Sequence, residues 1–168
     1  MDGTCDLSDR FPDVRIVAPV LRDFGARRQF RGSAVTVKCF EDNSRIKELL
    51  ATQGHGRVLV VDGGGSLRCA LLGDMIARDA VANGWAGIIV DGCVRDTAVL
   101  ATLDIGIKAR AANPRRSTRR GEGTVAIPVE VGGAQVQNDD YVVADEDGVI
   151  FLNAAQAATI ADASTQQA

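Results

Sequence analysis

Asp74, Arg95 and Asp96 are the residues of this sequence best equipped to do chemistry together. Asp74 stands in LLGDMIA, where an apolar run gives way to a helical pattern, and Arg95 and Asp96 stand in VDGCVRD, where a second apolar run ends. The first N–H groups of a helix have no intrahelical partner and carry the positive end of its dipole. The amides at Asp74, Met75 and Ile76 can therefore hold a carboxylate or phosphate. An arginine can grip the same anion with its planar fork. An aspartate beside it would repel that anion unless a cation lay between them. A hard Mg²⁺-type ion, held by one or two carboxylates, waters and the substrate, resolves that conflict. Asp74 could then orient a water on the ion or move a proton. Each residue also has a plainer role, Asp74 as a helix cap and Arg95–Asp96 as a solvated turn pair. Spacing alone leaves both readings open.

The elements that must position these residues form a β-α-β unit. A helix of about ten residues from Asp74 runs outward by roughly 15 Å. A strand from Ala86 to Asp91 returns by roughly 20 Å. The chain thus comes back near its starting point, at the sheet edge where ligands collect in open α/β folds. SAVTVKCF (33–40) reads as a β-branched strand, and Asn43 or Ser44 caps a short helix through RIKELLATQG that closes at Gly54. RVLVVDGGGS (57–66) is an apolar strand that breaks at three glycines. DGGGS is a tight turn, a pocket wall or a backbone nest for phosphate; without the Lys-Ser/Thr ending it is not a P-loop.

LLGDMIARDAVANGW follows with Leu72, Ile76 and Ala80 on one helical stripe and Gly84 as its stop. DTAVLATLD suggests a short helix, and IGIKARA a further strand. Strands that are apolar throughout and alternate with helices indicate a parallel sheet covered on both faces. After Pro114 the pattern becomes short strands separated by GG, NDD and DEDG turns, followed by an Ala-rich tail (153–168) of helical character that frays after Asp162. The expected fold is α/β, one domain over 1–168 with a parallel β-α-β centre and a β-rich C-terminal part.

Bulk composition excludes several classes of function. The 168 residues are 46% apolar and 24% charged, with a net charge of −3 and only 4% aromatic residues. That balance argues against a nucleic-acid surface built on basic charge or base stacking. Cys5, Cys39, Cys69 and Cys93 form no C-x-x-C pair and read as isolated thiols in a reducing compartment. His55, the single histidine, has no partner for a zinc site and reads as a loop residue. The polar start lacks the order of a signal peptide, and no apolar run reaches membrane-spanning length. A cytoplasmic location is the expectation, with no membrane contact.

Longer stretches carry a resemblance. KCFEDN (38–43), RVLVVDGGGSLRCALLGDMIA (57–77), GWAGIIVDGCVRD (84–96), LDIGIKA (103–109), Gly132–Gly133 and YVVADEDGVI (141–150) resemble, in order, the family of the regulator of ribonuclease activity A. That family overlaps with the class II 4-hydroxy-4-methyl-2-oxoglutarate aldolases. The likeness runs from about Asp6 to Leu152.

The resemblance implies a swivelling β/β/α-type domain assembled as a homotrimer. Enzymatic members carry an Asp, twenty intervening residues and Arg-Asp, and Asp74, residues 75–94 and Arg95–Asp96 reproduce this. It implies substrate binding by the backbone at Gly73, Asp74, Met75 and Ile76, and catalytic roles for Asp74 and for Arg95, which also binds substrate. Asp96 would hold a divalent cation, Mg²⁺ first, with Mn²⁺ or Co²⁺ as substitutes. The implied reaction cleaves a small oxo acid, 4-hydroxy-4-methyl-2-oxoglutarate, to two pyruvates, with oxaloacetate decarboxylation beside it. Longer aldolases add an acid from a neighbouring subunit, for which Glu146 is the candidate here. The family's other implied role is a regulator that binds RNase E or an RNA helicase without contacting nucleic acid directly. Both acids of the motif are present, which favours the enzyme. The arginines of NPRRSTRRGEG (113–123) are expected on a solvated hairpin arm, with docking of an anionic partner as the alternative.

Overall fold

The computed structural model describes residues 1–165, with side chains described to Ala161. In chain order the elements are α1 (Thr4–Arg10), β1 (Arg15–Ile16), β2 (Arg22–Asp23), β3 (Phe30–Lys38), α2 (Ser44–Leu50), β4 (Val58–Asp62), β5 (Ala70–Leu72), α3 (Asp74–Ala82), β6 (Gly87–Val94), α4 (Thr97–Leu100), β7 (Gly106–Ala112), β8 (Thr124–Val125), β9 (Val129–Val131), β10 (Ala134–Val136), β11 (Tyr141–Ala144), β12 (Val149–Leu152) and α5 (Ala154–Thr165).

One mixed sheet organises the chain, in the order β1-β12-β11-β3-β4-β6-β7-β2. Its centre, β3-β4-β6-β7, is parallel throughout, and the flanking pairs are antiparallel. The α/β expectation, with its parallel β-α-β centre and β-rich C-terminal part, therefore holds. The central strands are apolar on both faces because both are covered. Leu59, Val61, Ile88, Val90, Ile107 and Ala109 face α2, α3 and α4. Val58, Val60 and Ile89 face the opposite layer, built around the β9–β10 hairpin and the strands β11 and β12. The hairpin turns at Gly132 and Gly133, both at positive φ (51° and 77°), the conformation that a two-residue turn of this type needs. A smaller cluster packs Leu7 of α1 against Val143, Ile150 and Leu152, with Ile160 of α5 beside it.

Several boundaries differ from the sequence reading. Leu72 lies in a strand, because three residues of CALLG add a short parallel strand beside the end of β6 (Ala70↔Cys93, Leu72↔Val94). The helical stripe therefore begins at Asp74 and buries Ile76, Ala77 and Ala80. Burying a side chain such as Ile76 contributes about 1.5–3 kcal/mol to holding that helix on the sheet. α2 ends at Leu50, with Ala51 and not Gly54 as its C-cap. Gly54 instead approaches Trp85 so closely that a Cβ there would lie 2.5 Å from the indole. Backbone helix in α5 continues past Asp162 to Thr165; the part of the tail beyond it lies outside the described residues. All four cysteines are free, and Cys39, Cys69 and Cys93 are buried. No helix among the described residues is long and apolar enough to cross a membrane.

Candidate active site

Gly73 is the point where the three residues singled out in the sequence meet. The ladder between β5 and β6 runs one bond past the strands, with the Arg95 amide donating to the Leu72 carbonyl at 2.9 Å. That bond sets the residue after β6 beside the turn into α3. Asp96 then adopts a left-handed backbone (φ 55°, ψ 39°), a conformation Asp tolerates better than most residues. Its carbonyl accepts the amides of Val99 and Leu100, which starts α4.

The reversal turns the Asp96 carboxylate back onto α3. Its Oδ2 accepts the Asp74 amide at 3.2 Å and lies 3.8 Å from Arg95 Nε. Gly73 has no side chain to obstruct this convergence. A Cβ there would sit 2.8 Å from Asp96 Oδ2 and 3.3 Å from Arg95 Nε. Asp74 points its own carboxylate toward Arg78, one turn along α3, at 3.8 Å. Met75 exposes its side chain and Ile76 buries its own, so both contribute backbone amides, not side chains, to the helix start. The expected set, Gly73, Asp74, Met75, Ile76, Arg95 and Asp96, is brought together at one edge of the sheet.

The arrangement presents a helix N-terminus, a guanidinium and a carboxylate within contact distance of each other, all partly exposed. Among the described residues no group of three or more His, Cys, Asp or Glu side chains could cage a metal. The Asp96 carboxylate is 39% exposed, so it can offer oxygen to a cation that keeps several waters. This donor set fits Mg²⁺, which takes one or two carboxylates plus water and substrate oxygens. It does not fit zinc, which wants a set of nitrogen and sulfur ligands.

Comparison with known proteins shows the family. The profile of the RraA-like family, described as Aldolase/RraA, matches residues 4–151. The chain belongs to the RraA-like family. A Deinococcus radiodurans relative named "Putative 4-hydroxy-4-methyl-2-oxoglutarate aldolase" is 54% identical over 90% of this chain and 94% of its own. Among solved structures, an RNA-processing inhibitor RraA from Thermus thermophilis superposes with a TM-score of 0.88 at 45% identity, covering 90% of this chain and 93% of that one. A Geobacillus kaustophilus structure bears the name of an S-adenosylmethionine:2-dimethylmenaquinone methyltransferase, with a TM-score of 0.87 at 42% identity over 91% and 95% of the two chains. Three different printed functions on one fold mean that the site, not the fold, must carry the functional argument.

Other residues of this RraA-like chain sit where spacing did not place them. Glu146 bonds Gln29 at 3.0 Å, just before β3 begins. Because β11 runs antiparallel to β3, with Ala144 opposite Phe30, Glu146 lies at the far edge of the sheet from Gly73. Within one chain it does not join the site. Asp62, at the end of β4, and Asp91, opposite it within β6, are buried and hold the β9–β10 hairpin through the amides of Glu130 (3.2 Å) and Gly132 (2.9 Å). Arg110 pairs with Asp91. DGGGS is thus a tight turn, with the Gly64 amide on Asp62 and the Gly65 amide on the Asp91 carbonyl. The signal for these two acids was a charged residue closing each apolar run, VLVVD and GIIVD, where a buried carboxylate must find donors.

The arginine-rich segment is not a free arm. Its backbone bridges β5 (Ala70 amide to the Arg115 carbonyl, 2.7 Å) and the start of α2 (Thr118 amide to the Glu41 carbonyl, 3.0 Å). The buried Asp42 carboxylate takes the Arg120 amide at 2.5 Å. Proline and charge gave the look of a solvated loop, while the partners that pin it lie some forty-five to eighty residues away in sequence.

Proposed function

We propose that this chain is a divalent-metal-dependent lyase that cleaves 4-hydroxy-4-methyl-2-oxoglutarate to two molecules of pyruvate, with oxaloacetate decarboxylation as a side activity. The observation that carries the reading is the convergence of the Asp74 amide, Arg95 and Asp96 on the Gly73 turn. Naming of close relatives as aldolases supports it.

The substrate's C1 carboxylate docks at the N-terminus of α3, against the amides from Asp74 to Ile76. Removal of the 4-hydroxyl proton lets the C3–C4 bond break. One pyruvate leaves directly, and the electron pair of that bond forms the enolate of the other. Arg95 stands where negative charge grows on the C2 oxygen, and a preorganised donor there is worth a few kcal/mol. Asp74, on the same turn, moves the proton, from the hydroxyl at the start and to C3 of the enolate at the end. Asp96 would hold a divalent cation, which would supply Lewis-acid stabilisation of the developing enolate. Oxaloacetate gives the same enolate by loss of CO₂ from C3. A Schiff base has no candidate at the site: Lys108, the one buried lysine, is held by Asp23 (2.9 Å) and the Asp145 carbonyl (2.7 Å) on the opposite face of the sheet.

The test is pyruvate release from both substrates, with Mg²⁺ and then with EDTA, for wild type and Asp96→Ala. Metal-dependent turnover that disappears in the variant supports the reading; a wild type silent on both substrates overturns it. A homotrimer is part of the proposal, checked by the mass in light scattering. The second reading, a regulator that binds RNase E or an RNA helicase, has the match to an RNA-processing inhibitor in its favour. It requires capture of such a partner by wild type and by Asp96→Ala alike.

A further inference from the structure

We infer that the arginine strap, residues 113–120, carries a second anion-binding site, built on Arg116 and Arg119 and suited to a small molecule with two or more negative charges. A cavity of about 430 Å³ opens there, lined by Arg116, Ser117, Thr118 and Arg119, within the size range of small-ligand pockets. The strap is rigid where it matters. Besides the bonds to β5 and Glu41, it gives the Asn43 amide an acceptor at the Thr118 carbonyl (3.2 Å) and places the Gly121 amide on Ser44 Oγ (2.8 Å).

Four guanidiniums then project from six residues of fixed backbone. Arg119 has one side-chain contact, Nε to Asn43 Oδ1 at 3.2 Å. The side chains of Arg115, Arg116 and Arg120 have no hydrogen bond or ion pair among the described residues. Of the neighbouring acids, Glu122 is exposed without an ion pair among the described residues, and Glu41 and Asp42 are already committed. Glu41 is taken by Ser66 (2.7 Å) and Arg68 (2.5 Å). Asp42 is taken by the amides of Ser44 and Arg120 and by the Thr118 hydroxyl. Four guanidiniums are therefore left with Glu122 as the one uncommitted acid beside them in the segment, and the strap keeps a net positive charge. An arginine pair held on a fixed backbone is preorganised for forked recognition of carboxylate or phosphate.

This site is separate from the one at Gly73. Arg116 bridges Ala70 at the start of β5, whereas Arg95 and Asp96 follow β6 on the other side of that strand. It requires no catalysis, so it stands or falls independently of the lyase reading.

The experiment is calorimetric titration in low salt with EDTA, using citrate and pyrophosphate as separate probes, on wild type and three variants. Arg116→Ala/Arg119→Ala is expected to lose roughly tenfold or more in affinity, the worth of one or two charge-assisted hydrogen bonds. Arg115→Ala/Arg120→Ala removes the same charge away from the cavity lining and is expected to stay within about threefold. Arg95→Ala is expected to bind as wild type. Binding of citrate alone assigns the site to carboxylates, and of pyrophosphate alone to phosphoryl groups. The inference is overturned if wild type binds neither probe, if both double variants lose equally, or if Arg95→Ala loses as much as Arg116→Ala/Arg119→Ala. Thermal denaturation of each variant, expected within a few degrees of wild type, guards against loss of fold.

Discussion

Gly73→Ala separates the site from the fold. At Gly73 the backbone is extended (φ −127°, ψ −173°), so alanine meets no strain there, and the cost to the helix start is at most about 1 kcal/mol. For a chain of this length that is a fall in Tm of about 2–4 °C. The new methyl, however, would lie 2.8 Å from Asp96 Oδ2 and 3.3–3.4 Å from Nε and Cγ of Arg95. Restoring ordinary van der Waals contact of about 3.4 Å requires the carboxylate to retreat by roughly 0.6 Å, with Arg95 close on the other side. Misplacement of a reacting group by about 1 Å can cost 10²-fold. The expected loss in kcat/KM is therefore about 10- to 100-fold, or roughly 1.4–2.7 kcal/mol of transition-state stabilisation.

The control is Gly84→Ala. Gly84 sits at φ 72° with nothing within 4 Å of its would-be Cβ, closing α3 through its amide on the Val81 carbonyl. Alanine there costs about 1–2 kcal/mol of stability, about 2–8 °C in Tm, and should leave kcat/KM unchanged. A coupled assay of pyruvate release, beside thermal denaturation, reads both quantities. Full activity in Gly73→Ala would refute the claim that the Gly73 notch is where the reacting groups meet.

Other perturbations have equally definite outcomes. Asp96→Asn should abolish the response to added Mg²⁺ in that assay while unfolding within a few degrees of wild type, since Asp96 is half-exposed. Lys108→Met leaves Asp23 without its buried partner and should cost about 3 kcal/mol in urea denaturation, with activity retained. In the native state at pH 8, iodoacetamide should label Cys5, the exposed thiol, and reach Cys39, Cys69 and Cys93 only on unfolding. Burial pushes the Cys39 thiol up to about 12. The unfolded chain loses that proton near pH 9 and the folded chain does not, so stability should fall as pH rises from about 9 to 12; replacing Cys39 with Ala should flatten that slope. At the acid end, burial raises the carboxyl of Asp145, but the Thr4 amide and hydroxyl and the amides of Asp147 and Gly148 outweigh it and hold it low. Its contribution is present above the ordinary carboxylate range and is lost as pH falls below it, so stability should fall more steeply with acid in wild type than in Asp145→Asn.

Much of the candidate site's convergence was legible because its residues stand at punctuation marks. Asp74 follows a glycine at a change of period, and Arg95–Asp96 follow a largely apolar stretch, GIIVDGCV. A parallel sheet brings all such points to one edge, whatever the intervening lengths. The short strands around GG, NDD and DEDG were equally plain, since each turn has residues that accept positive φ or bond their own backbone. Leu72 was misread for a physical reason. It is four residues before Ile76 and eight before Ala80, so a three-residue strand ending there has the same spacing as a helix stripe, and three residues are too few to show a period of two.

The strap shows the opposite limit. Its bonds run from backbone groups of residues 115–121 to Ala70, Glu41 and the Asp42 and Ser44 side chains, so nothing in its own composition distinguishes a pinned segment from a free one. Distance in sequence also hid the roles of Asp62 and Asp91. Each closed an apolar run in the sequence, and each ties its strand to a hairpin amide some forty to seventy residues onward. These hidden contacts bear on the visible site. The turn at Gly73 is held from one side by the β6 ladder and from the other by the strap on Ala70, with Asn43 Nδ2 on the Leu71 carbonyl at 3.2 Å between them. A half-exposed carboxylate and guanidinium can keep a fixed geometry only if the backbone beneath them does not move. In this chain that rigidity comes from segments whose sequence gives no sign of it.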